Sequence, residues 1–134
     1  MSAQKPVSTP SAPAAIGPYS QAVITPPGAE LVFCSGQIAL DPSTGELIDG
    51  SIKDRTRACL ENLAGVLGGA GCSLRDVVKT TIFLTDMGAF AEVNEAYAAF
   101  FGGQPPARST VAVVGLPKGT DVEIEAVAIR PPRR

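Results

Sequence analysis

Near the C-terminal end of this chain an arginine, a threonine and two glutamates stand on otherwise apolar stretches. Pro106 to Ala128 reads PARSTVAVVGLPKGTDVEIEAVA. Arg108 opens it, followed by alternation and the β-branched Val111, Val113 and Val114. Gly115, Pro117 and Gly119 break the pattern, and a second alternating run covers Val122 to Ile129. Period-2 runs on either side of a Gly/Pro loop predict two strands. Because side chains alternate, Arg108 and Thr110 share a face of the first strand, and Glu123 and Glu125 share a face of the second. A planar guanidinium on a rigid strand is suited to a carboxylate, whose two oxygens it holds with parallel hydrogen bonds. The same residues also describe a solvated strand face carrying a weak surface ion pair. The pattern alone leaves both readings open.

Composition narrows the chemistry. At 134 residues the chain is one domain, long enough to bury about two thirds of its unfolded surface. Hydrophobic content of 45% and charged content of 18% are those of a globular protein. A net charge of -2 argues against an electrostatic nucleic-acid footprint. No apolar run approaches a bilayer span, and no secretory leader is visible after Met1, so a cytoplasmic protein without membrane contact is expected. Cys34, Cys59 and Cys72 are odd in number and widely spaced, and read as buried thiols in a reducing compartment. The chain has no histidine, which removes the commonest general base and the commonest metal ligand. No metal site and no glycine-rich phosphate loop are expected.

The elements that must position Arg108 and Glu123 follow in order. Residues 1–13, rich in Ser, Ala, Pro and Gln, predict a flexible tail, leaving 14–134 as the domain. Gly17-Pro18-Tyr19 turns into a first strand, Gln21 to Ile24; Thr25 to Gly28 breaks it; and Leu31 to Ser35 begins a second, so a hairpin is the simple expectation. Gly36 follows at a point where a ligand could approach main-chain N–H groups. Ser51 to Leu67 has helical spacing, a Ser51–Asp54 capping box and a Gly68-Gly69 stop. Leu74 to Leu84 predicts a strand buried on both faces. Asp86 then caps a helix with Phe90, Val93, Tyr97 and Phe100 on its packed stripe and Asn94 in the same turn. Two strands, helix, strand, helix and two strands make an α+β sandwich with both helices on one sheet face. The other face, carrying Val and Ile, needs a cover, and self-association is the obvious one.

These motifs resemble the Rid family of reactive intermediate deaminases, also called the YjgF family. PARS, LPKG and EIEA carry the resemblance, with GPYSQAV around Tyr19, SGQIALDPSTGEL around Gly36, VVKTTIFLTDM around Lys79 and VNEAYAAFF around Asn94. The likeness runs from about Ala14 to Arg130. It implies a chorismate-mutase-like fold with a mixed sheet, a strand between the last two strands, and a homotrimer with sites in the clefts between subunits. It also implies hydrolysis of 2-iminobutanoate and 2-iminopropanoate, the imine and enamine products of PLP enzymes, to 2-keto acids and ammonia, with no cofactor. By the resemblance Glu123 is the catalytic carboxylate, Tyr19 a second catalytic contributor, and Arg108, Thr110, Gly36 and Asn94 bind substrate, while Glu125 is structural. Thr110 stands where the family often has cysteine, so a role for sulfur is not expected. A non-enzymatic trimer binding small acids or other proteins is the alternative. Chorismate mutase chemistry favours several cations around a dicarboxylate, and ribonuclease activity has no support in an acidic, histidine-free chain.

Overall fold

A computed structural model describes residues 4–131. Six strands and two α-helices occur in the order β1 (Lys5–Val7), β2 (Ala22–Ile24), β3 (Glu30–Gln37), α1 (Ile52–Gly69), β4 (Val77–Leu84), α2 (Phe90–Ala98), β5 (Ala107–Ala112) and β6 (Val122–Arg130). The main sheet has the order β3-β6-β4-β5, antiparallel except for the parallel β4–β5 pair. The last two strands are thus separated by β4, as the resemblance implied. Leu74–Asp76, expected as strand, forms a 3-10 turn.

Both helices lie on one face of this sheet. On α1 the stripe Cys59, Leu60, Leu63 and Leu67 is wholly buried. Each large apolar side chain so buried contributes about 1.5–3 kcal/mol. The capping box forms as predicted: Asp54 N–H donates to Ser51 Oγ at 3.2 Å and Ser51 N–H donates to Asp54 Oδ2 at 3.1 Å. From the sheet, Val122, Ile124, Ala126 and Ala128 of β6 and Thr80, Ile82 and Leu84 of β4 face the same core. Among the described residues nothing covers the opposite face. There Lys79 is exposed and Thr81 and Phe83 are half-buried, so the expectation that this strand is buried on both faces is corrected for a single copy. Leu31, Phe33 and Val111 are exposed on that face, Phe33 by 74%.

Two further expectations are corrected. The strand β2 does not form a hairpin with β3; it pairs antiparallel with β1. Ser20 explains why. Its N–H donates to Pro106 O at 3.1 Å and its hydroxyl to Pro105 O at 2.6 Å, which moors the entry to β2 beside β5. Strand β3 lies at the other edge of the sheet. The expected loose tail is also ordered wherever it is described. Gln4 is buried and donates from Nε2 to Arg75 O at 2.8 Å. Gln21 accepts from Thr9 N–H at 2.7 Å and donates to Pro13 O at 2.6 Å.

Candidate functional site

Arg108 sits on β5 with Thr80 of β4 as its register partner, so it faces the helices. Its Nη1 donates to Asn94 Oδ1 of α2 at 2.7 Å. Three aromatic rings surround the guanidinium carbon: Tyr97 at 5.0 Å, Tyr19 at 5.4 Å and Phe90 at 5.8 Å from their centroids. Contacts of this kind are attractive by about 0.5–2 kcal/mol each. Burial draws the guanidinium below the usual arginine range, and Tyr97 and Tyr19 oppose the shift. It remains a cation, since arginine does not deprotonate in proteins. Among the described residues no carboxylate is in ion-pair range of it; the arginines that do find one are Arg55, Arg57 and Arg130. A half-buried cation held by one amide and three rings still has donors to spare, and such a group can receive an anion.

Tyr19 and Thr110 lie on the same side of the sheet as Arg108. Tyr19 follows a tight turn, its N–H donating to Gly17 O at 2.8 Å, and that turn lies against both Tyr19 and Asn94. Thr110 is two residues beyond Arg108 on the same strand face, opposite Ile82. Its hydroxyl oxygen is buried without a hydrogen-bond partner. Such a group costs about 1–3 kcal/mol until something satisfies it.

Glu123 stands elsewhere. On β6 it is opposite Phe83, and its neighbours Val122 and Ile124 point into the core, so the carboxylate lies on the helix-free face. There it meets Gly36, where β3 shifts register between Cys34 and Gln37. A Cβ on Gly36 would stand 2.8 Å from Glu123 Cδ and closer still to Oε2. The glycine therefore makes room for the carboxylate, a role the sequence did not suggest. Glu125 is exposed on the same face.

The six predicted residues thus form two groups on opposite faces of one sheet. Arg108, Tyr19, Asn94 and Thr110 are on one, Glu123 and Gly36 on the other. Sequence reasoning missed Tyr97, Phe90 and Thr80 as neighbours of Arg108. The signal was the spacing of Phe90, Asn94 and Tyr97, which puts all three on one helical face.

Comparison with known proteins places the chain in a family. A family model described as Endoribonuclease L-PSP matches residues 9–130. Protein DfrA of Myxococcus xanthus is 50% identical over 127 residues, covering 95% of this chain and 96% of its own. A 2-iminobutanoate/2-iminopropanoate deaminase of Mus musculus is 47% identical over 129 residues, covering 96% and 93%. The crystal structure of E. coli TdcF with bound serine superposes with a TM-score of 0.72 at 42% identity, covering 95% of this chain and 99% of that one.

Proposed function

Because this chain belongs to the L-PSP endoribonuclease family, the Rid or YjgF family that its motifs resemble, we propose that it hydrolyses small 2-imino acids to 2-keto acids and ammonia. The observation that carries the proposal is Arg108: a half-buried guanidinium, oriented by Asn94 and three rings and free of any protein carboxylate among the described residues. The substrate carboxylate supplies the missing partner. Thr110's unpartnered hydroxyl offers the substrate a further hydrogen bond, and the Tyr19 ring flanks the guanidinium. That a solved relative at 42% identity, E. coli TdcF, is described with bound serine, a small 2-substituted acid, supports this reading.

In the proposed reaction Arg108 fixes the carboxylate and so places the imine carbon. Glu123 orients a water and takes its proton as the oxygen bonds to that carbon. Glu123 returns that proton to the nitrogen, the hydroxyl of the resulting carbinolamine gives up its own to the departing amine, and the C–N bond breaks to leave the 2-keto acid and ammonia. Imines hydrolyse unaided in water, so positioning and electrostatics suffice. Since Glu123 and Arg108 occupy opposite faces of the sheet, the reading includes assembly: the helix-free face of one copy delivers Glu123 and Gly36 to the Arg108 pocket of the next, in a trimer. The family's ribonuclease description is not adopted. One guanidinium in a chain with net charge -2 and no histidine is a poor match to a polyanion.

The test generates 2-iminobutanoate with a threonine dehydratase and follows release of 2-oxobutanoate with and without the protein. Acceleration is expected, and Glu123→Gln should lower it by about two to four orders of magnitude while 2-oxobutanoate still binds. Binding without turnover in the wild-type protein would instead identify a non-enzymatic receptor for small acids. Turnover within a few-fold of wild type in Glu123→Gln would remove the carboxylate from the mechanism.

A further inference from the structure

Beneath the guanidinium lies a polar pair whose burial the core itself does not require. Tyr97 and Thr80 are each 0% exposed, and Tyr97 Oη and Thr80 Oγ1 are hydrogen-bonded at 2.8 Å. Replacing both partners of such a bond with apolar groups of the same shape is nearly neutral for stability, because the cost of burying the hydroxyls disappears with their bond. What the bond adds is orientation.

The object oriented is a ring face. Thr80 is the register partner of Arg108, and the Tyr97 ring is the nearest of the three around it. Phe101 packs on Tyr97 with centroids 4.7 Å apart and planes inclined by 34°. Tyr97 is thus fixed from helix, strand and neighbouring ring together. Tyr19 and Phe90 both reach the surface. Burial also pushes the Tyr97 phenol up to about 12, against the lowering effects of Thr80 and Arg108. The phenol therefore stays neutral, and Arg108 meets an aromatic face, not a phenolate.

We propose that Tyr97, locked by Thr80, is a positioning residue for Arg108: its ring sets the tilt of the guanidinium so that the free donors meet the substrate carboxylate. The substrate part of this inference rests on the imine-hydrolase reading. The geometric part stands without it.

The decisive variant is the double substitution Thr80→Val with Tyr97→Phe, which keeps the ring and the packed volume and removes only the lock. It should melt within a few degrees of wild type. Its KM for 2-iminobutanoate and its Kd for 2-oxobutanoate should each rise about threefold, less than the roughly fivefold of one lost cation–π contact because the ring remains, with kcat much less affected. In the free protein the Arg108 Nε–H resonance, displaced by the surrounding rings, should move toward the value of an unconstrained arginine and broaden. Tyr97→Leu, which removes the ring, should weaken binding further, so that phenylalanine gives partial rescue. A double variant with wild-type resonance, KM and Kd would make Tyr97 ordinary core and overturn the proposal. If the wild-type protein fails to hydrolyse the imine, the functional reading falls while the resonance still decides whether the lock positions Arg108. If Tyr97→Leu does not fold, the isosteric double variant carries the result.

Discussion

Substituting Gly36 with alanine adds one methyl group beside Glu123, on a backbone that any residue can adopt. The methyl and the carboxylate cannot occupy the same space, so Glu123 must swing away from its present position. A displacement of about 1 Å in a catalytic group costs on the order of a hundredfold, so kcat/KM should drop by about ten- to a hundredfold with little change in melting temperature. Steady-state hydrolysis and a thermal melt together check this, and wild-type kinetics in Gly36→Ala would mean the carboxylate's present position is irrelevant to the reaction. At this scale the sequence was informative about Arg108 and Glu123 because a charge on an apolar strand violates the local pattern. Tyr97 and Thr80 violate nothing: each fits its own periodicity, and only the bond joining a helix to a strand reveals them.

Among the elements, the start of α1 is tied to the start of β6 by a two-pronged ion pair. Arg55 donates from Nε to Asp121 Oδ1 at 2.8 Å and from Nη2 to Oδ2 at 2.7 Å, while Nη1 reaches Gly50 O at 2.6 Å. The hydrogen bonds from Arg55 hold the Asp121 carboxyl below the usual aspartate range, with burial opposing. A carboxyl depressed by folding stabilises fully above its unfolded pKa of about 3.9, and the stabilisation is lost as pH falls through the folded value. Asp121→Asn should therefore cost about 1–2 kcal/mol at pH 7, a modest figure because the Asp121 side chain is 35% exposed. Denaturant melts of both proteins should show the gap closing below about pH 4. A gap independent of pH would assign the loss to packing. Element types were legible here because the α1 stripe and its capping box are local signals. Strand partners were not. Nothing within Gln21 to Ser35 says that Ser20 bonds to Pro105 and Pro106, which is what carries β2 to the far edge from β3. Likewise the Pro- and Ser-rich composition of residues 4–13 conceals the side chain of Gln21 that gathers them.

At the level of the whole molecule, one sheet face is packed by helices and the other presents Leu31, Phe33 and Val111 to solvent beside Glu123. An apolar face of this kind on a stable protein calls for a cover. Sedimentation equilibrium should give a species three times the 13.7 kDa chain mass at micromolar concentration. Phe33→Arg, which places a charge on that face, should shift the population toward monomer and lose imine hydrolysis in proportion. A fully active monomer would break the link between assembly and site.

The separation of Arg108 and Glu123 onto opposite faces also has a genetic meaning. If each cleft takes its arginine from one copy and its glutamate from the next, the two functions can be inherited from different alleles. A cell carrying one allele without the guanidinium and another without the carboxylate would regain one intact cleft in every mixed trimer. Two alleles damaged in the same half would regain none. Mutations in this small protein would then sort into two complementation groups whose boundary runs through the middle of a single β-sheet.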